Sequence, residues 1–136
     1  MEQPFVARLP KGEDLLEAIT KVFQERSIRK ATFNVIGAVT RGVLGYYDQN
    51  ARQYRNQEFD RHMEIVSCMG NVSEKGDEVF AHAHIVFSGE DYQCVGGHLM
   101  NGSPIFAAEL FAMPLSGKTP VRKFDEPTGL LLWSDS

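Results

Sequence analysis

Only one stretch of this sequence repeats its apolar residues at helical spacing, and it lies near the start. Between residues 13 and 26, Leu15, Leu16, Ile19, Val22 and Phe23 share one side of a 3.6-residue period, with Glu17, Lys21, Gln24 and Glu25 between them. Gly12 or Asp14 can cap its start. Beyond it the apolar residues alternate or run in short segments between turns, which predicts strands over 31–36, 39–47, 52–59, 62–69, 79–87, 92–99 and 104–115. Two shorter stretches, 121–124 and 129–133, follow in the tail. Parallel neighbours need a crossover connection, usually a helix, and no second helix is available. The expected fold is therefore α+β, a mostly antiparallel sheet of about seven strands with one packed amphipathic helix. Strands 31–36 through 62–69 read as a meander, with the polar 52–59 at an edge or facing solvent.

The 136 residues, 43% apolar and 24% charged, suit one domain over 1–136 with its own core. A formal charge of −4 argues against a whole-molecule grip on nucleic acid or anionic lipid. Arg52, Arg55 and Arg61 with Tyr54 can still form a modest basic patch, or simply a solvated edge. The start, MEQPFVARLPKGEDLL, has neither the order of a signal peptide nor a membrane-spanning run, so a cytoplasmic protein is expected. Cys68 and Cys94 stand far apart without a CxxC and read as buried free thiols. Dinucleotide, P-loop, serine-hydrolase and HExxH motifs are all absent.

Chemistry concentrates in one predicted hairpin. Along Ala81-His82-Ala83-His84-Ile85-Val86-Phe87, alternation puts the alanines, Ile85 and Phe87 on one face and His82, His84 and Val86 on the other. The two histidines point the same way, about 6.6 Å apart at Cα. With Gly89, Glu90 and Asp91 as the loop, Ser88 faces Tyr92, His82 faces His98, and His84 faces Gly96, whose missing side chain leaves room for the imidazoles. A one-residue slip would turn His98 away, but it would also break the apolar face that continues through Val95 and Leu99. Three neutral imidazoles with an open fourth position suit zinc, and other divalent transition metals accept them too. The same spacing also serves histidines that are merely hydrogen-bonded on a half-buried sheet or at a subunit contact.

Glu109, set within Ile105-Phe106-Ala107-Ala108-Glu109-Leu110-Phe111, could orient a ligand imidazole, act as a general base or pair with an arginine; Glu64 invites the same treatment. Cys94 falls on the histidine face two steps from His84 and is a conceivable fourth ligand. His62, beside Arg61, reads as a surface or strand-end histidine outside the site.

The ordered set Glu64-Ile65-Val66-Ser67, His82-Ala83-His84, Val95-Gly96-Gly97-His98-Leu99, Gly102 and Ala108-Glu109 resembles the PPC domain, the plants-and-prokaryotes-conserved family. Gly37-Ala38-Val39 and Leu44-Gly45-Tyr46-Tyr47-Asp48 extend the likeness upstream over nearly the whole chain. The resemblance implies an antiparallel sheet with a helix, a homotrimer, and a metal on His82, His84 and His98. It also implies DNA association, yet the Arg-Gly-Arg-Pro hook of plant members lies outside the domain, and the nearest string here, Arg41-Gly42-Val43, sits inside a predicted strand. The expected function is a cytoplasmic, homotrimeric binding or regulatory module with a three-histidine zinc site. The alternative is a metal-dependent hydrolase or lyase acting on a small molecule, with Glu109 or Glu64 moving protons.

Overall fold

The computed structural model describes residues 3–134. In chain order the elements are β1 (Phe5–Leu9), α1 (Leu15–Glu25), β2 (Ala31–Val39), β3 (Gly42–Asp48), β4 (Gln53–Phe59), β5 (Met63–Lys75), β6 (Glu78–Ser88), β7 (Cys94–Leu99), β8 (Ile105–Pro114), β9 (Val121–Asp125) and β10 (Leu130–Trp133). One helix on a mostly antiparallel sheet is as expected; ten strands rather than about seven is not. Both tail stretches are strands, and β1 went unread because its five-residue alternation ends at Pro10 and is too short to stand out.

Asp14 caps α1, accepting from the Glu17 amide at 3.1 Å, and its other oxygen accepts from the Gly102 and Ser103 amides at 2.7 and 2.9 Å. One carboxylate thus fixes both the helix start and the turn leading into β8. At the other end Ser27 takes a left-handed conformation, φ 55°, while the Ser27 amide bonds Gln24 O and the Ile28 amide bonds Phe23 O. These two bonds form a Schellman stop that buries Ile28. Leu15, Ala18, Ile19 and Phe23 are buried against the sheet, and Phe23 packs between Phe5 and Phe33 at 6.3 and 5.8 Å. Each large side chain so covered contributes roughly 1.5–3 kcal/mol.

The strand order is β1-β8-β2-β5-β6-β7-β3-β4. The expected meander is absent: β3 and β4 do pair, but β5 lies between β2 and β6, so β4 is an edge strand paired with β3 alone. Alternation tells which face a residue takes, not which strand is its neighbour, and the thirteen-residue β5 found longer partners in β2 and β6. Past the end of β2, β9 pairs in parallel with β5 at Glu74 and Lys75 and carries β10 on its far side. No helix among the described residues is long and apolar enough to cross a membrane.

The sheet has one buried and one open face. Ala81, Ala83, Ile85 and Phe87 of β6 join Val35, Cys68 and Leu110 in the core under α1. His82, His84 and Val86 take the other face. The hydrophobic pattern fixes this parity, because reversing it would expose Phe87 and bury two imidazoles.

Candidate metal centre

β6 and β7 form the hairpin foreseen from the sequence, with a different register. His84, not His82, stands opposite His98; Val86 faces Gly96 and Ser88 faces Cys94. The loop is five residues rather than three. Tyr92 turns left-handed at φ 65°, and the Gly89 amide to Gln93 O and Tyr92 amide to Gly89 O bonds close it at 3.0 Å each. The Asp91 carboxylate also accepts from the Gln93 amide at 3.0 Å. A shift of two residues preserves the face, so all three histidines still converge.

Their ring centroids lie 5.1, 5.1 and 5.7 Å apart, and each offers one nitrogen within 4.8 Å of the others. Tetrahedral zinc with bonds of about 2.0–2.1 Å wants ligand nitrogens about 3.4 Å apart, a closure within reach of side-chain rotation. His98 Nδ1 is buried with no hydrogen-bond partner, an orphan that a metal would satisfy. Burial, the neighbouring histidines and Arg122 press the His82 pKa down to about 4. Burial first, then His84 and Arg122, lowers that of His98. Both therefore stand ready as neutral ligands at neutral pH. The donor set, orphan and protonation state all fit a divalent transition metal.

A glycine other than the expected one opens the side of the cluster next to His98. Gly45 of β3 stands opposite His98, and a Cβ there would lie 2.7 Å from Met100 Sδ and 3.3 Å from the Tyr54 ring. Without it, Tyr54 reaches over from β4 and packs on His98 with centroids 4.8 Å apart.

The tail hairpin closes another side. Its turn is tied to the β3–β4 hairpin: Tyr47 OH donates to Thr128 O at 2.6 Å, and Arg52 bonds Glu126 O and pairs with its carboxylate. Arg122 of β9 donates to Asn71 Oδ1 at 3.3 Å, and Asn71 lies directly opposite His82. A second bond, to Leu131 O at 3.1 Å, and the Phe80 and Trp133 rings, 5.2 and 5.3 Å from the guanidinium carbon, hold Arg122 in place. Trp133 is itself pinned through Nε1 to the fully buried Ser73 hydroxyl at 2.8 Å.

The other sequence candidates lie elsewhere. Glu109 is not in a core; it is exposed on the outer face of β8, opposite Arg8 and Ile36 and about three strand spacings, roughly 14 Å, from β6. Glu64 is exposed opposite Ser88, four residues or about 13 Å along β6 from His84. Cys94 is exposed rather than buried and lies outside the histidine cluster, its thiol 3.9 Å from Tyr92 O. Cys68 is buried, which pushes its thiol up to about 12. His62 is a surface residue with its ring edge on Phe106, 5.1 Å away. In the proposed basic patch Arg52 pairs with Glu126 and Arg55 with Asp48 at 3.7 Å each, while Arg61 lies over Phe59. Sequence reasoning did not single out Arg122, Asn71 or Trp133; nothing in Val-Arg-Lys-Phe-Asp marks an inward arginine until β9 is known to pair with β5.

The sequence model of the Plants and Prokaryotes Conserved domain (PCC, also written PPC) matches residues 1–116. A structure described as a metal-containing protein from Archaeoglobus fulgidus is 42% identical with TM-score 0.93, the match covering 98% of this chain and 94% of that one. A PPC protein from Pyrococcus horikoshii is 32% identical with TM-score 0.93, over 99% and 93% of the two chains. A candidate DNA-binding protein from Bacteroides thetaiotaomicron, 22% identical with TM-score 0.89 over 98% and 93%, shares the fold. No curated protein matches the chain.

Proposed function

This chain belongs to the Plants and Prokaryotes Conserved domain family, and from that premise we propose that it is a cytoplasmic metal-binding module in which His82, His84 and His98 hold one zinc ion. The observation that carries this is the convergence of one nitrogen from each of the three histidines, with His98 Nδ1 buried and unpartnered. The 42% identical relative described as metal-containing supports it. Zinc is favoured over other divalent ions by the all-imidazole donor set and by three protein ligands leaving a fourth position. Zinc content and equilibrium dialysis test the site. His82→Ala and His98→Ala should each weaken binding at least a hundredfold, and full occupancy in both variants overturns the assignment.

The module acts as a homotrimer assembled through the outer face of the sheet. Val6, Ile36, Met69 and Phe111 lie exposed there at 75, 56, 64 and 43%, an apolar face of the kind that marks an interface. Light scattering should return three chain masses, with Phe111→Asp lowering it. DNA association is supported by the family resemblance alone, since the net charge is −4 and two of the three patch arginines have acidic partners. If it occurs, affinity falls steeply with salt; no binding at low salt removes it.

A fourth position left open by three protein ligands, with Arg122 close enough to act on His82 and His98, favours a second reading, a metal-dependent hydrolase or lyase for a small molecule. Within one chain Glu109 and Glu64 lie too far from the histidines to serve as its proton carriers.

A further inference from the structure

Charge at the metal centre does not balance. A divalent ion on three neutral imidazoles keeps both its charges, and Arg122 adds a third beside it. Among the described residues no carboxylate is ion-paired with Arg122. Partly buried cations without a counter-ion are costly, and an anion arriving from outside would relieve that cost.

Arg122 is placed to receive one. Two hydrogen bonds, to Asn71 Oδ1 and Leu131 O, fix its plane, and the Phe80 and Trp133 rings flank it. Those bonds occupy two of the five guanidinium donors, while Nε–H is buried with no partner. An arginine held this firmly with donors to spare differs from Arg52 and Arg55, which spend their charge on exposed acids. The ligand's shape follows from the number of cations. A planar fork pairs with carboxylate and phosphate alike, and a lone fork on the protein side favours the smaller, singly charged carboxylate over a phosphate, whose sites often add a nest of backbone N–H groups.

We propose that Arg122 and the open position of the metal form one binding site for a small carboxylate, bridged between the ion and the guanidinium, with Tyr54 walling the His98 side. This rests on the three-histidine metal site above and names what that site binds. Arg122 lies beyond residues 1–116 matched by the family, so the specificity element belongs to the tail hairpin rather than to the matched domain.

The test titrates zinc-loaded full-length protein with glycolate, acetate and inorganic phosphate. It follows the emission of Trp133, the single tryptophan of the chain, with binding heats as a second readout and zinc measured in every sample. Glycolate should bind and change the emission, and removing zinc should weaken it at least tenfold. Arg122→Ala should weaken it at least tenfold at unchanged zinc stoichiometry, with Arg122→Lys recovering part. Unaltered glycolate affinity in zinc-loaded Arg122→Ala, or in Arg122→Gln if the alanine variant does not fold, overturns the proposal, as does binding of phosphate but of neither carboxylate. Zinc-loaded wild-type protein that binds no anion refutes the carboxylate site and leaves the metal site standing; wild-type protein that takes up no zinc refutes both.

Discussion

Two hairpins meet at the histidine cluster, and they are built on opposite terms. The β6–β7 hairpin is part of the core: Ala83, Ile85, Phe87 and Leu99 are almost fully buried, so the imidazoles on the reverse side are carried by a rigid sheet. The β9–β10 hairpin has no such core. Phe124, Leu131, Leu132 and Trp133 are exposed by 37–62%, and the hairpin is held by a short parallel pairing with β5 and by polar ties to Ser73, Asn71, Tyr47 and Arg52. The difference separates two tasks. Ligands that must converge within ångströms sit on the part that cannot move without unfolding, while the charge that selects an anion sits on a part that can be altered without disturbing the fold.

Phe87→Ala is the strongest challenge to that contrast. It empties a fully buried site and should cost about 3–5 kcal/mol in urea unfolding. Trp133→Ala should cost about 1–3 kcal/mol, because it strands the buried Ser73 hydroxyl, and should leave metal affinity near wild type. Equal losses for the two would erase the distinction.

The pH dependence probes the rigid hairpin alone. With His82 titrating near 4 in the folded protein and 6.5 as its ordinary value, the unfolded chain takes up a proton between those values that the folded chain refuses. Stability of the metal-free protein therefore rises with pH across that window and is lost as pH falls from 6.5 toward 4. Screening at a partly exposed ring keeps the effect on the order of 1 kcal/mol. His82→Asn should reduce the slope, leaving the part that His98 contributes; an unchanged slope assigns it elsewhere. The smallest effect is Arg52→Ala, an exposed pair worth less than about 1 kcal/mol in thermal unfolding; a larger loss would mean that the tail is bound to the fold more tightly than its exposure implies.

The same contrast governs what the sequence made legible. The α1 stripe from Leu15 to Phe23 and the two-residue alternation of β6 are local patterns, so the helix, the longer strands and the shared face of His82, His84 and His98 could be read directly. Register could not, because the left-handed Tyr92 and the Asp91 cap lengthen the loop by two residues without changing the alternation on either side. Strand order was equally hidden, as nothing in residues 62–69 distinguishes β4 from β2 as a partner. Glu109 looked like a buried carboxylate because its neighbours are apolar, yet Phe106, Phe111 and Met113 are themselves partly exposed on the open face. Arg122 acquires a role only through a pairing some fifty residues back along the chain.

Anomalous scattering at the zinc edge from crystals of the full chain tests the central claim most directly. We expect one peak per chain about 2.0–2.2 Å from one nitrogen of each of His82, His84 and His98, with a further non-protein ligand on the side facing Arg122. Absence of a peak among the three imidazoles from zinc-supplemented crystals, or a peak held by other side chains, would contradict it.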